Sequence, residues 1–407
     1  MKIKNVAGAW PLCLCVITCA AHADLSPYTV SASETLQHDS NLFRTDTDER
    51  AEWASVTEFR AALDQQLGRE HLIAGLAYNL SRYRDLHSLD SSGYQGNVEL
   101  DWSTVGDLSG AVGADASRHQ YFYGFNGPAV STTRNLQTDD HVFARAQLGG
   151  MGRWTILGGV DANKRDYSAA TFEVNQERQW SGNGGINYST SEDLSFGISG
   201  RYTRGSYPKL LLENGQQDEF SLRSIDLTTK WQASGNSLLQ AKVGYSSDRE
   251  LLQADRNFVN GSLSWAWTPP SRFGVTLNLS RDSNADTAAA GASGSSNILG
   301  RSVNDTARLN VSYALSAKVG LTAGTQFTKR DYAGGTSQGV SGTTVVFPGG
   351  INRTVQFSLN ASYQPTRTTQ LGCGFSREHR SADTQLFSYA PGYSDNSVLC
   401  TGSIRFE

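Results

Sequence analysis

The chain has 407 residues, only 38% of them hydrophobic and 18% charged, with 41 glycines, a balance that excludes an ordinary soluble α/β enzyme. The 8 Trp, 16 Tyr and 16 Phe, with regularly spaced Val, Ile and Leu, equally exclude a disordered chain. A formal net charge of -4 gives no support for nucleic-acid binding, which needs a basic face.

The first element is a signal. Lys2 and Lys4 precede a mostly apolar run from Val6 to Ala21, and Ala21-His22-Ala23 fits a small-x-small cleavage site. Residues 1–23 therefore read as a secretory signal peptide and 24–407 as the exported chain. Lipidation at Cys19 is the weaker reading, since Val-Ile-Thr precedes it without a small residue next to the cysteine. Loss of Lys2 and Lys4 takes the formal charge from -4 to about -6. Cys13, Cys15 and Cys19 leave with the signal, and Cys373 and Cys400 stay. Two cysteines in an oxidising compartment are a candidate disulfide.

Tyr28 to His38 alternates as a strand and runs into Asp39-Ser40-Asn41, which are turn formers. Asp39, Asn41, Asp46, Asp48 and Glu49 make an oxygen-rich cluster here. Their spacing lacks the ordered pattern of a dedicated cation loop, so they read as a solvated acidic loop.

Alternation then continues along the chain. In the stretch from Tyr94 to Thr104, Tyr94, Gly96, Val98, Leu100 and Trp102 share one face, and Gln95, Asn97, Glu99, Asp101 and Ser103 the other. Phe273 to Ser280, Thr306 to Leu315 and Thr354 to Tyr363 repeat the pattern. Period two with one apolar and one wet face means a half-buried strand, and about eighteen such segments occur. No apolar run is long enough for a spanning helix, whereas a barrel wall needs only every second residue apolar.

The connections alternate short and long. Short ones include Gly68-Arg69-Glu70, Val105-Gly106-Asp107 and Ser234-Gly235-Asn236; long ones span 81–92, 121–137, 207–217, 282–300, 331–350 and 380–396. The stretch 287–296 is rich in Ala, Gly and Ser and reads as a flexible external loop. Trp102, Tyr188, Trp231, Trp265, Trp267, Tyr313 and Tyr363 fall on the apolar face just before short turns, and Trp154 just after one. That is an aromatic girdle at one membrane interface. The fold expected is all-β: a transmembrane antiparallel β-barrel of about 18 strands (16–18), integral to a bacterial outer membrane.

The C-terminus agrees. Cys400, Gly402, Ile404 and Phe406 alternate with Thr401, Ser403 and Arg405, with Glu407 last. This ending resembles the signal read by the outer-membrane barrel assembly machinery. If Cys373 pairs with Cys400, Leu371 faces Gly402, Thr369 faces Ile404, and both sulfurs lie on the lipid side. Free thiols are the alternative.

Parity places Glu58, Arg60, Glu99, Asp101, Arg145, Asp161, Arg201, Asp226, Lys230, Lys242, Arg308 and Arg330 in the lumen, among amides such as Asn163, Asn183, Asn260 and Asn310. Such mixed charge suits either a rigid wet lumen or a path for a polar, weakly charged solute. Tyr121, Phe122, Tyr123 and Phe125 form an aromatic loop that either stacks on solutes at the mouth or extends the upper girdle. The scattered histidines and the lack of a Gly-x-Ser-x-Gly elbow or a His-x-x-x-His pair leave no catalytic constellation. Neither a cofactor nor a metal is expected.

Asp39, Asn41, Leu42, Phe43 and Arg44 form an Asp-x-Asn-Leu-Phe-Arg motif followed by an acidic loop. With Asp395 to Cys400 (Asp-Asn-Ser-Val-Leu-Cys), it resembles the β-barrel porin family found with exopolysaccharide biosynthesis clusters, the EpsL-type outer-membrane proteins. The resemblance implies a role in polysaccharide export. The expected partners are membrane lipids including lipopolysaccharide, the assembly machinery, polysaccharide, and periplasmic export or synthesis proteins. The alternatives are a general or small-solute porin and a plugged structural or adhesive barrel.

Overall fold

The structure is a computed structural model that describes residues 26–121, 134–149, 152–211, 215–251, 255–284, 302–332, 335–338, 344–347, 349–383 and 392–406. Residues 1–23, read above as a signal peptide, Phe122, Tyr123, Phe125, the stretch 287–296 and Glu407 lie outside the described residues.

The wall is built from β1 (Tyr28–Asp39), β2 (Glu52–Leu67), β3 (Glu70–Tyr83), β4 (Ser91–Ser103), β5 (Leu108–Gln120), β6 (Leu136–Leu148), β7 (Trp154–Tyr167), β8 (Glu177–Ser189) and β9 (Leu194–Leu211). It continues through β10 (Gln217–Ser234), β11 (Ser237–Glu250), β12 (Arg256–Trp267), β13 (Phe273–Asn284), β14 (Ser302–Ala314) and β15 (Val319–Tyr332), and ends with β18 (Gly350–Tyr363), β19 (Thr369–Ala382) and β20 (Tyr393–Phe406). A small external hairpin, β16 (Gly335–Gln338) with β17 (Thr344–Phe347), lies between β15 and β18. Two 3-10 turns, His87–Leu89 and Ala170–Asn175, sit in external connections.

These strands form one 18-stranded antiparallel sheet. It closes on itself because β1 pairs with β2 on one side and β20 on the other. Closure leaves no unpaired strand edge, which a wall in hydrocarbon requires. The outward face is apolar along every strand: Leu76, Val98, Val142, Val160, Leu227, Val243 and Leu359 are all exposed. In water that surface would be untenable; in a bilayer it is the lipid contact. The chain is thus an integral outer-membrane barrel with termini and short turns at one end and long connections at the other.

Several strands run further than the alternation suggests. Residues 207–217 and 380–396 read as loop, yet β9 continues to Leu211 and β20 starts at Tyr393. Beyond the membrane both faces of a strand are wet, so pairing continues while the apolar rhythm fades.

Besides the lower girdle, a second set of outward aromatics marks the outer interface: Trp53, Tyr78, Trp180, Tyr245, Phe357 and Phe375. The tightest apolar packing is a small rim core of Leu42, Phe43, Leu86 and Leu89 with Tyr83 against it.

Candidate functional site

The strand registers put every one of the twelve charged residues read as inward on the face opposite the apolar wall. Glu58 and Arg60 alternate with Phe59 on β2, and Glu99 and Asp101 with Leu100 and Trp102 on β4. On β10, Asp226 and Lys230 alternate with Leu227 and Trp231.

Two different arcs emerge. On β2 to β6 acids dominate and are bonded to neighbours. Arg60 donates to Glu58 at 3.1 Å, His71 Nε2 lies 2.6 Å from Asp64 Oδ1, His141 Nδ1 lies 2.8 Å from Asp115 Oδ1, and Arg145 pairs with Glu99. Asp101 stands 3.8 Å from His71 Nδ1.

On β9 to β15 inward acids such as Asp226 and Asp282 are interspersed with cations, and Arg201, Lys230, Lys242, Arg308 and Arg330 have neutral cross-strand neighbours. Arg201 lies between Asn183 and Ser224, Lys242 between Thr228 and Ser262, and Lys230 between Ser195 and Gln240. Among the described residues these three cations make no ion pair. Arg308 donates to Gln326 Oε1 from Nε at 2.8 Å, and Arg330 stands opposite Asn304 and Asn352. In the ring of strands the acid-rich arc and these cations occupy opposite halves.

A polar recess of about 810 Å³ is let into the wall from β7 to β13. Asp161, Arg201, Asp226 and Lys242 line it with Asn163, Asn183, Asn187 and Asn260. Its acids are braced: Asp161 accepts from Ser181 Oγ at 2.6 Å, and Asp226 accepts from Asn260 Nδ2 at 2.8 Å. Gly244 makes the Asp226–Asn260 pair fit, because a Cβ there would collide with both side chains. Glu58, Arg60, Glu99, Asp101, Arg145, Lys230, Arg308 and Arg330 lie elsewhere on the lumen wall.

At the mouth, Tyr121 packs edge-on against Tyr167 at 5.2 Å and against Phe172 at 5.4 Å. Tyr167 is an inward position of β7, so this cluster lines the inner rim. Below it Arg165 donates to Asp139 at 2.7 Å and faces Glu177 at 3.6 Å. The inward residues named from alternation on β6 to β8 stop short of this trio; continuing the same parity outward, by one step past Asn163 and three steps past Arg145 and Asn183, reaches Arg165, Asp139 and Glu177. Among the described residues no group of three or more His, Cys, Asp or Glu is placed to hold a metal ion.

The Asp39 to Thr45 motif is not in the lumen path. Asn41 is fully buried. Its N–H donates to Asp395 Oδ1 at 2.9 Å, and its amide donates to the carbonyls of Thr45 and Ser394. Ser40 Oγ also donates to Asp395, and Arg44 approaches Glu378 at 3.8 Å. The two segments that carry the family resemblance therefore meet across the seam between first and last strands. Cys373 and Cys400, directly opposed on β19 and β20, are joined in a disulfide with Cα atoms 4.1 Å apart.

A family model described as "Putative beta-barrel porin 2" matches residues 240–398. No curated protein matches the chain. Solved structures share the barrel. The outer membrane protein opdK of Pseudomonas aeruginosa matches with a TM-score of 0.51 and 11% identity, over 93% of this chain and 99% of that one. OccK2 (OpdF) of the same organism matches with a TM-score of 0.51 and 11% identity, over 94% and 99%. A structure of OpdK with vanillate gives 0.50 and 11%, over 94% and 100%. At such identity the likeness is one of fold.

Proposed function

We propose that the barrel is a passive channel for small polar solutes across the outer membrane. The observation that carries this reading is the uneven lumen charge: the acid-rich inner face of β2 to β6 stands across the ring from Arg201, Lys230 and Lys242, inward cations that make no ion pair among the described residues. Opposed charges of unlike sign orient a dipolar solute and reduce the cost of stripping its water, without trapping either ion. Arg201, Lys242 and Lys230 descend the wall towards the lower girdle as successive contacts for an anionic group. The braced carboxylates offer a cationic group the same opposite it.

The polysaccharide role implied by the sequence resemblance has less support. Its marker residues are engaged in the seam and present nothing to a glycan in the lumen, and no match connects the chain to exopolysaccharide. The test is single-channel recording in planar bilayers under a salt gradient. Open conductance with weak ion selectivity is expected, and Arg201→Glu with Lys242→Glu should turn the pore cation-selective. Silence in the bilayer, or unchanged selectivity in the double variant, would overturn the reading.

A further inference from the structure

The outward face carries an asymmetry that a channel does not need. Arg118, Lys164, Arg178, Arg204, Arg223 and Arg281 all point outward, and all sit at the end bearing the long connections. Among the described residues no outward Lys or Arg lies within the lower half of a strand.

Two pairs are more telling. Lys164 stands directly opposite Arg178, and Lys329 directly opposite Arg353. Like charges in direct cross-strand register are destabilising; Lys164 also faces Asp140, and Lys329 faces Asp305, on the neighbouring strand, so Arg178 and Arg353 are the members that gain from an added anion. Lys164 is bonded to Asp166, and Arg204 is bonded to Glu219 at 2.7 Å. Arg178 has no ion pair among the described residues.

The first pair borders an outward recess of about 460 Å³. Its membrane-side part is formed by Val142, Ala162 and Trp180, with Arg204 level with Trp180 and bonded to Glu219, and its outer part by Lys164 and Arg178, with Asp140 directly opposite Lys164. Trp180 packs against Tyr202 at 5.5 Å, and Arg223 lies 5.5 Å over the ring of Tyr202. The site is apolar towards the hydrocarbon and aromatic at the interface; just beyond, the charges are mixed, and Arg178 is the cation that no acid pairs with among the described residues.

We propose that this recess on β7 to β10 binds a phosphorylated glycolipid of the outer leaflet. Its phosphate sits between Lys164 and Arg178, and its acyl region lies against Trp180, Ala162 and Val142. A guanidinium and an ammonium together offer charge-assisted donors to a phosphate, and basic clusters at a membrane boundary recognise anionic headgroups in this way. The occupant is a lipid rather than a free anion because the apolar floor opens directly onto the hydrocarbon.

The experiment is equilibrium binding of lipid A to the full refolded barrel in detergent, followed by native mass spectrometry. Lipid A should bind at least about tenfold more tightly than its dephosphorylated form. Lys164→Gln with Arg178→Gln should remove that preference, while Lys242→Gln in the lumen should keep it. Heat-modifiable gel mobility verifies that each variant is folded. Equal binding of the dephosphorylated lipid, an unaffected double variant, or inorganic phosphate competing at its own low concentration would overturn the proposal. A double variant that fails to fold is replaced by Trp180→Ala, which should weaken lipid A and its dephosphorylated form alike. Unchanged binding of both would count equally against it.

Discussion

Asn41 and Asp395 are 354 residues apart in sequence, and the backbone N–H of one donates to the carboxylate of the other at 2.9 Å. Ser40 adds a second bond to the same carboxylate at 3.1 Å, and its own hydroxyl accepts from the N–H of Asn396 at 2.8 Å. Together they fasten the outer end of the β1–β20 seam, the last pairing a barrel can make. A buried hydrogen bond to a charged group contributes roughly 1.5–3 kcal/mol. Asp395→Ala should therefore lower the heat-modifiable unfolding temperature and expose the first external loop to protease, with single-channel conductance unchanged. A variant as stable as the parent would remove the seam role from this motif.

Glu34 is a carboxylate midway along the outer face of β1, away from the charged outer rim. It lies on the outward face of β1, opposite Thr57 and Gly402, and accepts hydrogen bonds from Thr57 at 2.6 Å and from Ser55. A carboxylate on the lipid side costs less than a lysine but still destabilises. Glu34→Leu is expected to raise stability in vesicles by about 1 kcal/mol, measured by urea unfolding. If the leucine variant is less stable, this face is covered by protein rather than lipid.

The facing assignment itself is open to a paired test. Leu359, exposed on the outer wall of β18, becomes costly as lysine, by roughly 2–4 kcal/mol near the bilayer midplane. Arg308 on β14 points inward, and Arg308→Gln removes one of its bonds to Gln326 without placing charge in lipid. Folding yield into vesicles should drop for the first and hold for the second. Similar yields would mean that the parity is misassigned.

Much of this barrel is legible because lipid and water impose opposite demands on alternate residues. Tyr94 to Thr104 sorts cleanly for that reason, as do Phe273 to Ser280 and Thr354 to Tyr363. The sorting fails where both faces are wet: β9 extends past Tyr207, and the Arg165–Asp139–Glu177 trio falls in the same zone. The seam bonds of Asn41 were hidden for a different reason. Its pattern reads as a local turn, and only closure of the ring brings Asp395 beside it. The opposition of the acid-rich arc to Arg201, Lys230 and Lys242 likewise exists only once strand order has become a circle. Glu34 sits in correct alternation, but alternation assigns a face without saying whether the residue suits it.

The disulfide gives the last prediction. Cys373 and Cys400 are separated by 27 positions, spanning most of the β19–β20 hairpin and its external connection. Closing a loop of that size restricts the unfolded chain and stabilises by roughly 3 kcal/mol in the chain-entropy model. Here the two strands are also held by their own ladder and by β1 and β18 on either side. The link therefore matters more to the unfolded chain than to the folded wall. Cys373→Ala with Cys400→Ala should assemble into a barrel of the same conductance but unfold at lower urea. Reductant should shift the parent to the same midpoint and leave the double variant where it was. Equal midpoints for parent and variant without reductant would mean that the thiols are free in the folded protein.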